Sequence, residues 1–251
     1  MRIFLLLSLV TIFSIGCHPR LKVIQNDVFV SSVGVSLPYR TFFPKVEKGV
    51  KLPLILFLHG SGERGTDNEK QLIHVVPYLT SDSFQRLYPS IVLAPQCPEE
   101  DYWGPIKRFD WTFYEHGIVT PAMESVIELL DKISKTPDVD STRIYVCGLS
   151  MGAIGVYDIL HRKPNLFAVA VPICGVSNLG KVNVYKQLPM WVLHGDEDTV
   201  IPVEKSREFV AKRLSLQTPV IYTEYNGEGH GIWEKAIREK GLWEWVFSQK
   251  K

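Results

Sequence analysis

The 251-residue chain lacks a charge excess of either sign: 28 lysines and arginines stand against 27 aspartates and glutamates. A nucleic-acid-binding surface carries a basic surplus, so the balance argues against nucleic acid as a partner. No charge block, low-complexity stretch or internal repeat is present. Cysteine is scarce, with four in all and no C-x-x-C pair, and no zinc-ligand spacing occurs. Long apolar runs are missing too. The longest, residues 3–13, falls short of the roughly 20 residues that span a membrane. What remains is 45% hydrophobic and 22% charged, a globular composition. The length suits one α/β domain.

The N-terminus stands apart. Arg2 precedes the apolar run, which has the length of a signal-peptide core. Ser14, Ile15 and Gly16 then lead into Cys17. A small residue directly before a cysteine resembles the lipobox of bacterial lipoproteins, although Ser14 stands where leucine is usual. That resemblance implies cleavage before Cys17, a lipid on its thiol and an exported protein, periplasmic or at the cell surface. A plain secretory signal or an uncleaved anchor is the other reading. Residues 1–20 are therefore set apart from a catalytic domain over 21–251.

Residues 28–30 and 37–43 read as an opening hairpin. Continuous apolar runs at 54–58, 91–94, 144–147, 168–171 and 190–193 suit strands buried on both faces of a parallel sheet, and 220–223 suits a last strand. Helical periodicity lies between them. Thr120 and Pro121 open a helix whose apolar face runs from Met123 to Ile133. Residues 151–161, 203–214 and 239–247 read as further helices. Strands alternating with helices predict crossovers and a mostly parallel sheet. Cys97, Cys147 and Cys174 read as buried thiols, with a bridge to Cys97 left open.

The run at 144–147 leads into Gly148-Leu149-Ser150-Met151-Gly152. This is G-x-S-x-G between a strand and a helix, the context of a nucleophile elbow. Glycines two residues either side of the serine remove side chains that would collide in so tight a turn. The helix that follows aims backbone N–H groups at the reacting centre. Ser150 is the expected nucleophile.

A serine hydroxyl needs a base, and the base needs a partner to hold its tautomer. Where a nucleophile elbow of this kind carries a triad, the chain order is serine, acid, histidine. His161 lies on the helix after the elbow. His194 precedes every acid candidate, is out of order, and reads as structural at a strand tip. His230, flanked by Gly229 and Gly231 after the last strand, is the expected base. Asp196, Glu197 and Asp198 compete as the acid. The segment around them resembles the HGxxDxxxP stretch of esterases and dienelactone-hydrolase-like proteins, which selects Asp198 and leaves Asp196 to tie the loop. For the developing oxyanion, the Met151 N–H is one expected donor. The second comes from the loop after residue 58, with Ser61 preferred and Gly60 or Gly62 open. His59 reads as a brace for that loop.

Taken together, residues 58–65 (Leu-His-Gly-Ser-Gly-Glu-Arg-Gly), 94–98, 148–152, 194–198 and 229–231 resemble the phospholipase/carboxylesterase and polyhydroxybutyrate-depolymerase-like esterases, a branch often described as peptidases of the prolyl oligopeptidase clan. The resemblance covers nearly the whole mature chain. Ala153 departs from it, since many relatives carry a second glycine there. It implies an α/β-hydrolase fold, hydrolysis of carboxylic esters by a Ser-His-Asp triad, no metal and no organic cofactor. The short segment between Cys174 and Leu188 leaves little or no lid. Trp103 and Trp111, on a long loop, could stack on a sugar or aryl acid, or could simply pin the loop. A small-molecule or oligosaccharide ester, with acetyl or feruloyl groups on plant polysaccharide, is the expected substrate. A serine peptidase and a non-catalytic binding lipoprotein are the alternatives.

Overall fold

A computed structural model describes residues 23–251 except Lys45, Lys48, Arg108, Glu115 and His116. The expected signal segment and Cys17 lie outside the described residues. The strands are β1 (Val23–Val30), β2 (Ser36–Phe43), β3 (Leu52–Leu58), β4 (Ile91–Pro95), the short hairpin β5 (Ile106–Lys107) and β6 (Thr112–Phe113), then β7 (Val139–Leu149), β8 (Val169–Ile173), β9 (Trp191–Gly195) and β10 (Ile221–Tyr225). Eight of them form one sheet in the order β1-β2-β4-β3-β7-β8-β9-β10. β2 is antiparallel to β1 and to β4. The pairings from β4 through β10 are parallel. This is the α/β-hydrolase fold, as the alternation of elements predicts.

The helices are α1 (Val75–Leu79), α2 (Asp82–Leu87), α3 (Pro121–Ile133), α4 (Met151–Arg162), α5 (Glu204–Ser215), α6 (Trp233–Ala236) and α7 (Leu242–Ser248). Side chains alternate across a strand, so β3 feeds two cores. Leu54, Leu56 and Leu58 pack with Met123 and Val126 of α3, Val156 and Ile159 of α4 and Phe209 of α5. Ile55 and Phe57 pack on the opposite face with α1, Phe84 of α2 and Trp243 and Val246 of α7. Burial on both faces explains why β3, β4 and β8 appear in the sequence as unbroken apolar runs. Helix α3 begins as expected, with Met123 N–H donating to Thr120 Oγ1 at 3.2 Å and Pro121 in the first turn.

Some elements differ from expectation. The C-terminal helix expected over 239–247 begins only at Leu242, because Gly241 adopts φ 80 and breaks the ladder before it. Helices α1 and α2 span five and six residues, too short for a 3.6-residue period to show. Trp103 is fully buried: its indole N–H donates to His59 O at 3.1 Å, so it pins its loop and faces no solvent. Trp111 and Phe113 pack on Ile106, Ile154, Val176 and Ile201. Cys97, Cys147 and Cys174 are buried free thiols with no bridge between them.

Candidate active site

The end of β7 and the start of α4 place Ser150 in the sharp turn that the glycine pattern requires. Its φ is 53 and ψ −118, a conformation few non-glycine residues adopt. The turn is anchored to the sheet by the Ser150 N–H, which donates to Ile173 O at 2.9 Å. Met151 is the first residue of α4, where a backbone N–H has no intrahelical acceptor.

His230 sits on the loop between β10 and α6. Its Nε2 lies 2.8 Å from Ser150 Oγ and its Nδ1 lies 2.6 Å from Asp198 Oδ2. Two further contacts hold the acid and base loops together. Glu197 N–H donates to Glu228 O at 2.9 Å, and Gly227 N–H donates to Asp196 Oδ1 at 2.7 Å. Asp196 thus joins the loops, while Asp198 faces the base. Trp233 stands edge-on to the His230 ring at 4.9 Å. Ser150 retains 9% of its exposure and the His230 side chain 16%, so solvent reaches both.

Burial pushes the Asp198 carboxyl up, but hydrogen bonds from His194, His230 and the Ile201 N–H outweigh it. The net effect holds Asp198 well below the ordinary aspartate range, as a carboxylate that can hold His230 with Nδ1 protonated. Nε2 is then free to accept the Ser150 proton.

Leu58 leads into His59, Gly60 and the 3-10 turn Ser61–Glu63. A Cβ on Gly60 would stand 2.8 Å from Leu149 Cδ1 and 3.7 Å from Ser150 Cβ, so this turn lies against the nucleophile. Ser61 opens the turn, again with an N–H free of an acceptor within it. His59 braces the loop from inside. Cys97 N–H donates to its Nε2 at 2.9 Å, so Nδ1 carries the proton and donates to Gly60 O at 2.6 Å. Burial lowers its pKa to about 4, and the ring is neutral. Arg64 Nε donates to Ser61 O at 3.0 Å, and Gln96 Nε2 to Glu63 O at 3.1 Å. Glu63 Oε2 is buried and accepts no hydrogen bond among the described residues.

His161 lies outside this constellation, beside Asp158 on α4. His194, which chain order excludes as the base, is nonetheless inside it: its Nε2 is 3.1 Å from Asp198 Oδ2. Its only sequence signal is its place four residues before the acid.

Two of these groups set an acid sensitivity. A folded-state pKa held below the unfolded value stabilises the fold above the unfolded value, and this contribution is lost as pH falls through the folded one. For His59 that window runs from about 6.5 down to about 4. For Asp198 the loss begins near the ordinary aspartate value, about 3.9, and continues below it. The melting temperature is therefore expected to fall from pH 7 to pH 3, and to fall less in Asp198→Asn. Parallel thermal melts at each pH check this, and equal declines in both proteins would remove Asp198 as a source.

Residues 46–240 match the phospholipase/carboxylesterase family. The chain is 23% identical over 158 residues to a bifunctional acetylxylan esterase/xylanase of Neocallimastix patriciarum, covering 63% of this chain and 21% of that protein. It is 23% identical over 205 residues to a probable carboxylesterase of Oryza sativa subsp. japonica, covering 75% and 86%. Among solved structures, a thermostable esterase superposes with a TM-score of 0.83 at 37% identity, covering 91% of this chain and 63% of that one. The chain thus spans about a fifth of the first relative and less than two thirds of the thermostable esterase.

Proposed function

This chain belongs to the phospholipase/carboxylesterase family, and from that premise we propose that it is a carboxylic ester hydrolase in which Ser150, His230 and Asp198 cleave the ester through an acyl-enzyme. The observation that carries the reading is the unbroken hydrogen-bond line from Ser150 Oγ through His230 to Asp198 Oδ2, at 2.8 and 2.6 Å. Ser150 Oγ attacks the ester carbon while His230 Nε2 takes the hydroxyl proton. The carbonyl oxygen becomes an oxyanion, met by the N–H groups of Ser61 and Met151. The intermediate collapses, the C–O bond breaks, and His230 returns the proton to the departing alcohol. Water then attacks the acyl-enzyme, giving its proton to His230. Collapse of the second intermediate releases the acid and restores the Ser150 hydroxyl.

The substrate we propose is an acetyl or feruloyl ester on a plant polysaccharide, met outside the cytoplasm by an exported chain lipidated at Cys17. Three observations support it. One relative is named for acetylxylan esterase activity. The segment from Gly175 to Leu188 contains a single 3-10 turn, Leu179–Tyr185, and no lid helix. The half-buried Trp233 ring stands edge-on to His230, an apolar surface next to the base.

The test is acid release from acetylated and feruloylated xylo-oligosaccharides, beside p-nitrophenyl esters of increasing acyl length and a peptide p-nitroanilide. Release from the oligosaccharides together with a short-chain preference is expected. Turnover of the p-nitrophenyl esters alone would discard the polysaccharide, and cleavage of the anilide alone would move the reading to a peptidase.

A further inference from the structure

Asp198 carries more hydrogen bonds than a base-orienting carboxylate needs. Its Oδ1 accepts from the backbone N–H groups of Val200 at 2.8 Å and Ile201 at 2.9 Å. Its Oδ2 accepts from two imidazoles, His230 at 2.6 Å and His194 at 3.1 Å. A triad uses one histidine on its carboxylate. The second ring here is fully buried on β9 and touches no solvent.

The surroundings of His194 determine where its proton sits. Nε2 faces two acceptors, Asp198 Oδ2 and the Ile201 carbonyl at 3.0 Å, so Nε2 carries the hydrogen and shares it between them. Nδ1 faces the Ser206 hydroxyl at 2.7 Å. A neutral ring accepts the hydroxyl proton there. Ser206 lies in the first turn of α5 and is itself fully buried. The chain of donors thus runs from Ser206 to His194 to Asp198, and there meets the one from Ser150 through His230. The other ionisable groups facing this ring are Cys174 and Glu224. Burial, and after it the Asp198 charge, keep the Cys174 thiol protonated. Glu224 pairs in register with His194 on β10 and is held by Arg207 at 2.6 Å. Cys174, His194 and Asp198 offer their ligand atoms within 4.8 Å of one another. Both His194 nitrogens are already committed to protein partners, so the group is a hydrogen-bond cluster.

We infer that His194, seated on Ser206, is a positioning residue for the catalytic acid: it fixes Oδ2 of Asp198 toward His230 and shares the charge that this oxygen presents to the base. The inference rests on the triad reading above. The physical argument has two parts. A carboxylate with all four donor directions filled cannot rotate away from the base. A second N–H on Oδ2 also draws charge from the oxygen that stabilises the His230 imidazolium, so removing that N–H strengthens the imidazolium and makes the base harder to free.

The test compares His194→Leu, which removes the donor, with His194→Gln, whose amide can donate to Asp198 from a similar reach. Both are measured in the full-length chain on p-nitrophenyl acetate across pH. His194→Leu is expected to lower kcat about 10- to 100-fold, the scale on which partners of active-site groups act, with KM within about threefold of wild type. The acid limb of kcat/KM should move to higher pH, and His194→Gln should recover most of kcat and restore the limb. Should the leucine variant not fold, Ser206→Ala, which frees the ring to turn, carries the same limb shift at smaller size. An unmoved limb in every folded variant, or no recovery by glutamine, would overturn the inference and leave His194 a packing residue. Ser150→Ala and Asp198→Asn run in parallel. If either keeps wild-type turnover the triad reading itself fails; if both collapse and His194→Leu turns over normally, only the inference does.

Discussion

Replacing Ser150 with alanine is expected to lower kcat on p-nitrophenyl acetate by about 10⁴- to 10⁶-fold while leaving the melting temperature within about 4 °C of wild type. The size follows from the geometry. Among the described residues the Ser150 hydroxyl is the nucleophile held at His230 Nε2, and it is already 2.8 Å from its base. Without it the proposed oxyanion donors, the N–H groups of Met151 and Ser61, remain in place, but no acyl-enzyme can form. Stability should hold because the strain belongs to the backbone. Alanine keeps the Cβ at φ 53, and the turn remains tied through the Ser150 N–H to Ile173 O. The one lost contact is the hydrogen bond to a partly solvated imidazole, worth about 1 kcal/mol. Residual turnover above 1% of wild type, with the mutation verified by intact mass, would remove Ser150 from the chemistry.

Gly152→Ala is expected to act through the fold instead, destabilising the protein by about 4 kcal/mol or more, a drop of roughly 8–16 °C in melting temperature. A Cβ at this position would lie 1.8 Å from the Leu58 carbonyl oxygen, 2.5 Å from Leu58 C and 2.7 Å from the His59 oxygen. Flexible side chains can rotate out of a clash, but these atoms are backbone at the junction of β3 with the turn Ser61–Glu63. Helix α4 would have to withdraw from β3, carrying Ser150 and Met151 away from Ser61. Activity should fall with stability even in the fraction that folds. Differential scanning calorimetry decides the matter, and a melting temperature within 3 °C of wild type would show that the elbow and β3 are not in the contact described.

Much of this was readable in the sequence because it is written locally. The strands β3, β4 and β8 are buried on both faces, and that burial demands consecutive apolar residues. The elbow is legible because its turn tolerates only small residues at two fixed offsets. Where the physical cause is remote, the sequence was silent. The hairpin of β5 and β6 pairs only two residues on each strand, too few to produce a pattern. Trp103 looks like any loop aromatic until Gly155 and His59 close over it: a Cβ on Gly155 would stand 2.5 Å from Trp103 Cβ. Helix α6 is four residues long and follows a glycine-rich loop, yet it places Trp233 against His230.

By itself the sequence determined the sheet-and-helix alternation and the short list of groups able to serve as nucleophile, acid and base. Each of these depends on residues close together in the chain. The HGxxDxxxP resemblance pointed to Asp198, but the tertiary structure alone set its carboxylate 2.6 Å from His230, 32 residues away in sequence, and decided that His194 shares that carboxylate with it. It also decided that the turn after β3 lies against Ser150. The reason is physical. Hydrophobic periodicity encodes which face of an element is buried, whereas a shared hydrogen bond depends on distances of about 3 Å between atoms brought together only when β7, β8, β9 and β10 align side by side.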